Sequence, residues 1–444
     1  MNYEKMYREK QRTLDDVYAM LSDGDYIFCL TSSAEPRTFL TFLHRLKGVR
    51  KNLHIQATFT TIRFSEIYKD EYADLCDFSS PFFPRTRVPL QRSGRASYIP
   101  MHLRNRGVDT VYHLKQISRP MNYVIIAVTP MDKHGYFCSG SCALAMRTYL
   151  SYGCKVILEV NEACPRTFGD TYIHISEVDY IYNSHDNKIN YYPSPPPTDE
   201  DKEIGGMIAD LVHDGDTIQL GIGGILSGCA NGLVNKRDLG VHTEMFNDGL
   251  MNLYNAGAIT NKKKSLFKNK IVAAFSSGAK EVFDFVDDNP GMIHLDALYV
   301  NHPANFSKND NIISVNTTLA IDLMGQCSSE AVLTEQISGT GGQTETIIGA
   351  KEAHGGRSVI ALHSTRELKQ PDGSKKRIST ILPVHPAGTV ISLARNDIDF
   401  VCTEYGMAAL RGATLRERAQ SLINIAHPDY RDELTEQAKR LWLI

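Results

Sequence analysis

The amino-acid sequence predicts an α/β protein made of two similar open domains with mainly parallel sheets. Three observations predict it. Short apolar runs bounded by turn residues recur along the chain, among them Tyr123–Val128, Lys155–Val160, 270–275 and 358–362. Runs of this length without polar alternation mark strands buried on both faces. A helix, Gly-Asp turn and strand pattern occurs at 14–27 and again at 204–218, its turns at Asp23 and Asp214 lying 191 residues apart (214 − 23). Between the copies, prolines fill four of the five positions 193–197, which forbids helix and sheet interior alike.

Each repeat carries its own second strand. Lys51-Asn-Leu-His-Ile55 and Arg237-Asp-Leu-Gly-Val241 follow about one helix later in their halves, the spacing of a βαβ crossover. The expected organisation is therefore a domain over 1–190, a Pro-rich linker at 191–201 and a second domain over 202–444. Two such sheets set face to face would put their strand-end loops around one crevice, where the site is expected.

Composition sets the outer limits. The chain has 444 residues, 42% of them hydrophobic, and its 48 Lys+Arg against 51 Asp+Glu leave a charge of −3. Disorder as the main state and a single small module are both excluded. The N-terminus is charged rather than apolar, and no run approaches the ~20 apolar residues of a membrane span. A cytoplasmic protein without a membrane partner is expected. Nine cysteines are odd in number, scattered, and form no Cys-x-x-Cys pair, so they read as reduced core thiols. Cys138 and Cys142 lack a second Cys/His pair at zinc-finger spacing, and no metal is expected. The one basic cluster, 261–270, sits in a chain with a single Trp and reads as a solvated helix end rather than a nucleic-acid surface.

Two Gly-rich loops in the second half point to ligand binding. The strand Thr217–Leu220 runs into Gly221-Ile222-Gly223-Gly224 and a helix, a context in which backbone amides gather around an anion. A dinucleotide fingerprint would need Gly at 226, where Leu226 stands, which disfavours a nicotinamide oxidoreductase. The second loop, Gly339-Thr-Gly341-Gly342-Gln343, has no Lys-Ser/Thr after it and is not a nucleoside-triphosphate loop. Between the loops, a strand ending at Val241 or His242 would deliver Glu244 to the crevice, and Thr403-Glu404 repeats that arrangement. Two carboxylates at equivalent strand ends suggest acid chemistry, and spacing alone does not name what it acts on.

Several segments are distinctive as ordered motifs: Val128-Thr-Pro-Met-Asp-Lys-His-Gly-Tyr-Phe137, Pro165-Arg-Thr-Phe-Gly169, Gln219-Leu-Gly-Ile-Gly-Gly224, Leu239-Gly-Val-His-Thr-Glu-Met-Phe246, Gly339-Thr-Gly-Gly-Gln343, Thr403-Glu-Tyr-Gly406 and Ile425-Ala-His-Pro-Asp-Tyr-Arg431. Together they resemble the acetyl-CoA hydrolase/transferase family of class I coenzyme A transferases, especially butyryl-CoA:acetate and 4-hydroxybutyrate CoA-transferases. These matches span most of the chain. The resemblance implies the CoA-transferase fold, with Glu244 as the catalytic nucleophile. It implies that Gln219, Gly221, Ile222, Gly223 and Gly224 line the acyl site, that Gly341, Gly342 and Gln343 lie near the CoA thioester, and that Asn301 and Glu404 support the site. Coenzyme A would be a substrate, with no tightly bound cofactor. A glutamate with an unperturbed pKa of roughly 4.3 would already be ionised at neutral pH and need no base. Relatives imply a homodimer or higher homo-oligomer.

The implied function is transfer of CoA between a short-chain acyl-CoA and a carboxylate such as acetate. An acyl-CoA hydrolase on the same scaffold and a non-catalytic acyl-CoA-binding protein are the alternatives. The chain departs from the family beside the acyl site. It has Thr344-Glu345-Thr346 where many members have an apolar residue, Asp and Phe, and Ile225-Leu-Ser-Gly228 where they have Ile-Pro-Asn. From about Thr58 to Leu103 the match is weak, so acyl-chain length is not legible there.

Overall fold

A computed structural model describes residues 2–57, 66–84, 87–370 and 372–444. Part of the weakly matching stretch, 58–65 with 85 and 86, lies outside the described residues. The chain forms two compact units. The first comprises Met1–Pro193 together with Val272–Val300, and the second comprises Ser194–Ile271 with Asn301–Ile444. A single cut at the proline-rich segment, as the sequence led us to expect, does not capture the excursion at 272–300.

In the first unit seven strands form one sheet: β1 (Tyr26–Cys29), β2 (Leu53–Ala57), β3 (Cys76–Ser80), β4 (Ala96–Tyr98), β5 (Tyr123–Val128), β6 (Lys155–Val160) and β7 (Tyr180–Asn183). Their order is β4-β3-β2-β1-β5-β6-β7, and every neighbouring pair is parallel. Both faces are covered, which is why the strands read as unbroken apolar runs. Along β1, Tyr26 and Phe28 enter one core cluster and Ile27 and Cys29 the other. Helix α1 (Leu14–Met20) starts at a capping box between Thr13 and Asp16 and buries Val17 and Tyr18, satisfying the free amides of its first turn.

The second unit repeats the plan. Helix α2 (Asp199–Leu211) begins at a capping box between Thr198 and Asp201, inside the expected linker, and leads into strand β8 (Thr217–Leu220). Helix α3 (Gly224–Gly232) follows, then strands β9 (Gly240–Phe246), β10 (Ile312–Thr317), β11 (Arg357–Ala361), β12 (Phe400–Thr403) and β13 (Gly406–Ala409). Within this unit the strands lie in the order β9-β8-β10-β11-β12-β13, parallel except for the β12–β13 hairpin. As in the first unit, the second strand of the repeat flanks the first on one side and a later strand flanks it on the other.

Helices α2 and α3 pack backbone to backbone. A Cβ on Gly205 would lie 2.3 Å from the Gly228 carbonyl carbon, and one on Gly228 would lie 2.2 Å from the Asp201 carbonyl oxygen. Only glycine permits that approach. Eight of the nine cysteines are buried, the exception being partly exposed Cys154. No helix among the described residues is long and apolar enough to cross a membrane.

Candidate active site

Because β8 to β12 are parallel, the segments that follow them emerge at one edge of the second unit's sheet. Glu244 lies near the end of β9, the Gly221–Gly224 turn follows β8, His363 and Ser364 follow β11, and Glu404 follows β12. The expectation that the Glu244 strand stops at Val241 or His242 is corrected: β9 runs to Phe246. Its pairing with β8 covers Gly240 and Val241, so Glu244 sits three residues past the last position paired with β8. The loop 261–270 holds this strand on its other side. Asn261 Oδ1 accepts the Val241 N–H at 2.9 Å, and Lys264 Nζ donates to the carbonyls of Val241 and Lys270, each at 2.7 Å. Lys264 is thus no part of a solvated helix end. It is 1% exposed, and burial pushes its ammonium down to about 7.

Around the half-buried Glu244 the donors are specific. Asn301 Nδ2 donates to Glu244 Oε2 at 2.7 Å, and the Gly342 N–H also bonds the carboxylate. The fit depends on glycine. A Cβ on Gly342 would lie 2.1 Å from both Asn301 Nδ2 and Glu244 Oε2, and one on Gly341, whose φ is +52°, would lie 3.2 Å from Glu244 Oε1. Helix α4 (Gln343–Glu352) starts at the next residue, so its positive end faces the carboxylate. Burial outweighs these donors and pushes the Glu244 carboxyl up to about 7. The unperturbed carboxyl expected from sequence is therefore corrected: Glu244 holds its proton to a higher pH than a free glutamate does.

The remaining expected residues divide. Ile222 is exposed, and Gly223, at φ +116° and ψ 175°, has open space where a side chain would project. Gly221 donates its N–H to Val315 O at 3.1 Å, and its own carbonyl accepts from Asn247 Nδ2 at 3.2 Å. At Gly224 a Cβ would meet Asp201 Oδ2 at 2.3 Å, and Asp201 Oδ1 bonds His363 Nε2 at 2.8 Å. Gln219 does not face the opening. It is 2% exposed, and its Oε1 accepts from Ser314 Oγ at 2.6 Å in a buried network with Asn316 and Thr346. Gln343 Nε2 donates to Thr317 O at 2.7 Å, toward β10 rather than Glu244. Glu404 accepts from the backbone N–H and the hydroxyl of Ser364; no hydrogen bond among the described residues joins it to Glu244. So Glu244, Asn301, Gly341 and Gly342 come together, whereas Gln219, Gln343 and Glu404 brace the edge from behind or beside. Sequence reasoning missed Glu345, buried at the first turn of α4 with its Oε2 3.4 Å from Asn301 Nδ2. The available signal was its place immediately after the second glycine loop.

Parallel α/β units with an acid at the carboxyl edge define the class, an α/β protein whose chemistry sits at its strand ends. The chain belongs to the acetyl-CoA hydrolase/transferase family: residues 1–191 match its N-terminal domain and residues 278–438 its C-terminal domain. The succinyl-CoA:cyclohexane-1-carboxylate CoA transferase of Geobacter metallireducens is 37% identical over 99% of this chain and 97% of its own length. The 4-hydroxybutyrate coenzyme A transferase of Clostridium kluyveri is 36% identical over 99% of this chain and 100% of its own. The crystal structure of RipA from Yersinia pestis superposes with a TM-score of 0.90 at 32% identity, with all of each chain covered.

Proposed function

We propose that this CoA-transferase works by ping-pong exchange through Glu244, moving coenzyme A between a short-chain acyl-CoA of the butyryl or 4-hydroxybutyryl type and a carboxylate such as acetate. The observation that carries the reading is the Glu244 carboxylate held between the Asn301 amide and the Gly342 N–H. The ionised carboxylate attacks the thioester carbonyl, forming an acyl-glutamyl anhydride and expelling CoA thiolate. The thiolate then attacks the glutamyl carbonyl, breaking the anhydride to give a glutamyl-CoA thioester and the free carboxylate product. An incoming carboxylate repeats the two steps in reverse and leaves as its own CoA ester. No bond energy is lost to water and no nucleotide is consumed.

Each addition passes through an oxyanion. In other acyl-transfer sites, losing one preorganised donor costs about 3–4 kcal/mol. Here Asn301, Gly342 and the open Ile222–Gly224 part of the first glycine turn are the available donors. A carboxylate that burial keeps basic is also the better nucleophile once ionised, at the expense of the fraction ionised at pH 7. Water must be kept from both acyl-enzyme states, since its entry would turn transfer into hydrolysis. The same reading has the enzyme act in the cytoplasm as a homodimer or higher homo-oligomer.

Mass spectrometry after mixing the protein with butyryl-CoA and no acceptor tests the reading. A CoA-sized adduct on the peptide holding Glu244, discharged by acetate with formation of acetyl-CoA, is the expected result. Glu244→Ala should bind the CoA ester and form no adduct. Free CoA accumulating without an adduct would support the hydrolase instead.

A further inference from the structure

We propose that Glu345 is a positioning residue of the transfer reaction, holding the Asn301 amide so that one of its N–H bonds stays aimed at the reacting oxygen of Glu244. The inference rests on the reading of Glu244 as the nucleophile. Asn301 is fully buried and Glu345 is 2% exposed. The Asn301 nitrogen lies 2.7 Å from Glu244 Oε2 and 3.4 Å from Glu345 Oε2. An amide nitrogen carries two hydrogens, and here each has its own carboxylate.

That second acceptor fixes which way the amide faces. Turned over, Asn301 would present its carbonyl oxygen to two carboxyl groups, exchanging two donor contacts for two repulsive ones. Glu345 itself belongs to the first turn of α4, where the helix's positive end favours a carboxylate. Its position is therefore set by the helix rather than by Asn301.

The arrangement matters most when Glu244 is not a carboxylate. In the anhydride and in the glutamyl thioester its side chain carries no charge, and the 2.7 Å charge-assisted bond to Asn301 is lost. Glu345 takes no part in the covalent steps. It keeps the amide in register through both intermediates, so the N–H is already aimed when the glutamyl carbonyl oxygen becomes an oxyanion. Preorganisation of that kind separates a donor that lowers the barrier from one that must first be ordered.

A double-mutant cycle on adduct formation, followed in single turnover by mass spectrometry with butyryl-CoA, tests this. Glu345→Ala should slow formation of the glutamyl-CoA adduct about tenfold or more while changing the Kd for acyl-CoA less than about twofold. In an Asn301→Ala background the same change should alter the rate less than about twofold, because its effect passes through the amide. Glu345→Gln, which retains a carbonyl acceptor, should recover much of the lost rate, and Glu345→Leu, of similar size without an acceptor, carries the cycle if the alanine variant does not fold. Losses that multiply in the double variant, or a Glu345→Ala rate equal to wild type, overturn the proposal. A wild-type protein that forms no adduct would instead overturn the nucleophile reading beneath it, and with it the role of Glu345.

Discussion

As the proposed nucleophile, Glu244 must be both partly buried and charged, and its surroundings are a compromise between the two. Burial raises its pKa to about 7 while Asn301 and Gly342 pull the other way. Since the reactive form under the proposed mechanism is the carboxylate, kcat/KM for the acyl-CoA should rise with pH along a one-proton limb centred near 7 and level off above it, as stopped-flow or steady-state assays would show. A pH-independent rate between 5 and 8 would sink this account. Stability should move in the opposite direction. Below about 4.5 the group is protonated in both folded and unfolded chains; between about 4.5 and 7 only the unfolded chain ionises, so the native state loses ground, and above 7 the loss is complete. Glu244→Gln, which mimics the protonated form, should therefore melt with the wild type at pH 4 and above it at pH 8. Gly342→Ala probes the same contact sterically. Its Cβ would sit 2.1 Å from the two atoms that must bond, and displacing either by an ångström is worth about a hundredfold in rate.

Strand β9 shows what sequence patterns reveal about an element and what they leave out. The strands Tyr123–Val128 and Lys155–Val160 are legible to the residue because burial on both faces writes an unbroken apolar run. β9 continues through His242, Thr243 and Glu244, where polar residues end the pattern although His242 and Thr243 are fully buried. Nor does local sequence show that Lys264 is inside, because a lysine flanked by lysines looks solvated until its partners are known. It stands in for part of a neighbouring strand, donating to the Val241 carbonyl whose residue's N–H is bonded to Asn261. Lys264→Met preserves the stem lying over Gly240 and removes both donors. A carbonyl left without a donor in the interior costs about 1–3 kcal/mol. A lower melting temperature is expected, with kcat falling more than KM rises, because the strand that loosens carries the proposed nucleophile. Unchanged stability and kcat would mean the clamp contributes nothing to β9.

At the scale of the whole molecule, the duplication was visible from the recurring helix, Gly-Asp turn and strand, and the residues meeting at Glu244 came from ordered motif matches. The return of 272–300 to the first unit was not visible. Its strand reads like any other buried run, and which core it packs into depends on contacts distant in sequence. The contacts are substantial: Val272, Ala274, Ala297 and Val300 belong to the same core cluster as Phe28 and Tyr149. The Ala143 N–H donates to Ala274 O at 3.1 Å and the Ser276 N–H to Ser141 O at 2.8 Å. A fragment ending at Pro193 therefore lacks part of its own core, and alone it should bind hydrophobic dyes and show no near-ultraviolet circular dichroism. A protease site inserted between Pro193 and Ser194 should behave differently. After cleavage the two pieces should co-elute in size-exclusion chromatography without denaturant, because the second piece supplies 272–300 to the first unit's core. Recovery of two separately folded halves would show that the excursion is dispensable and that the proline segment is a true domain boundary.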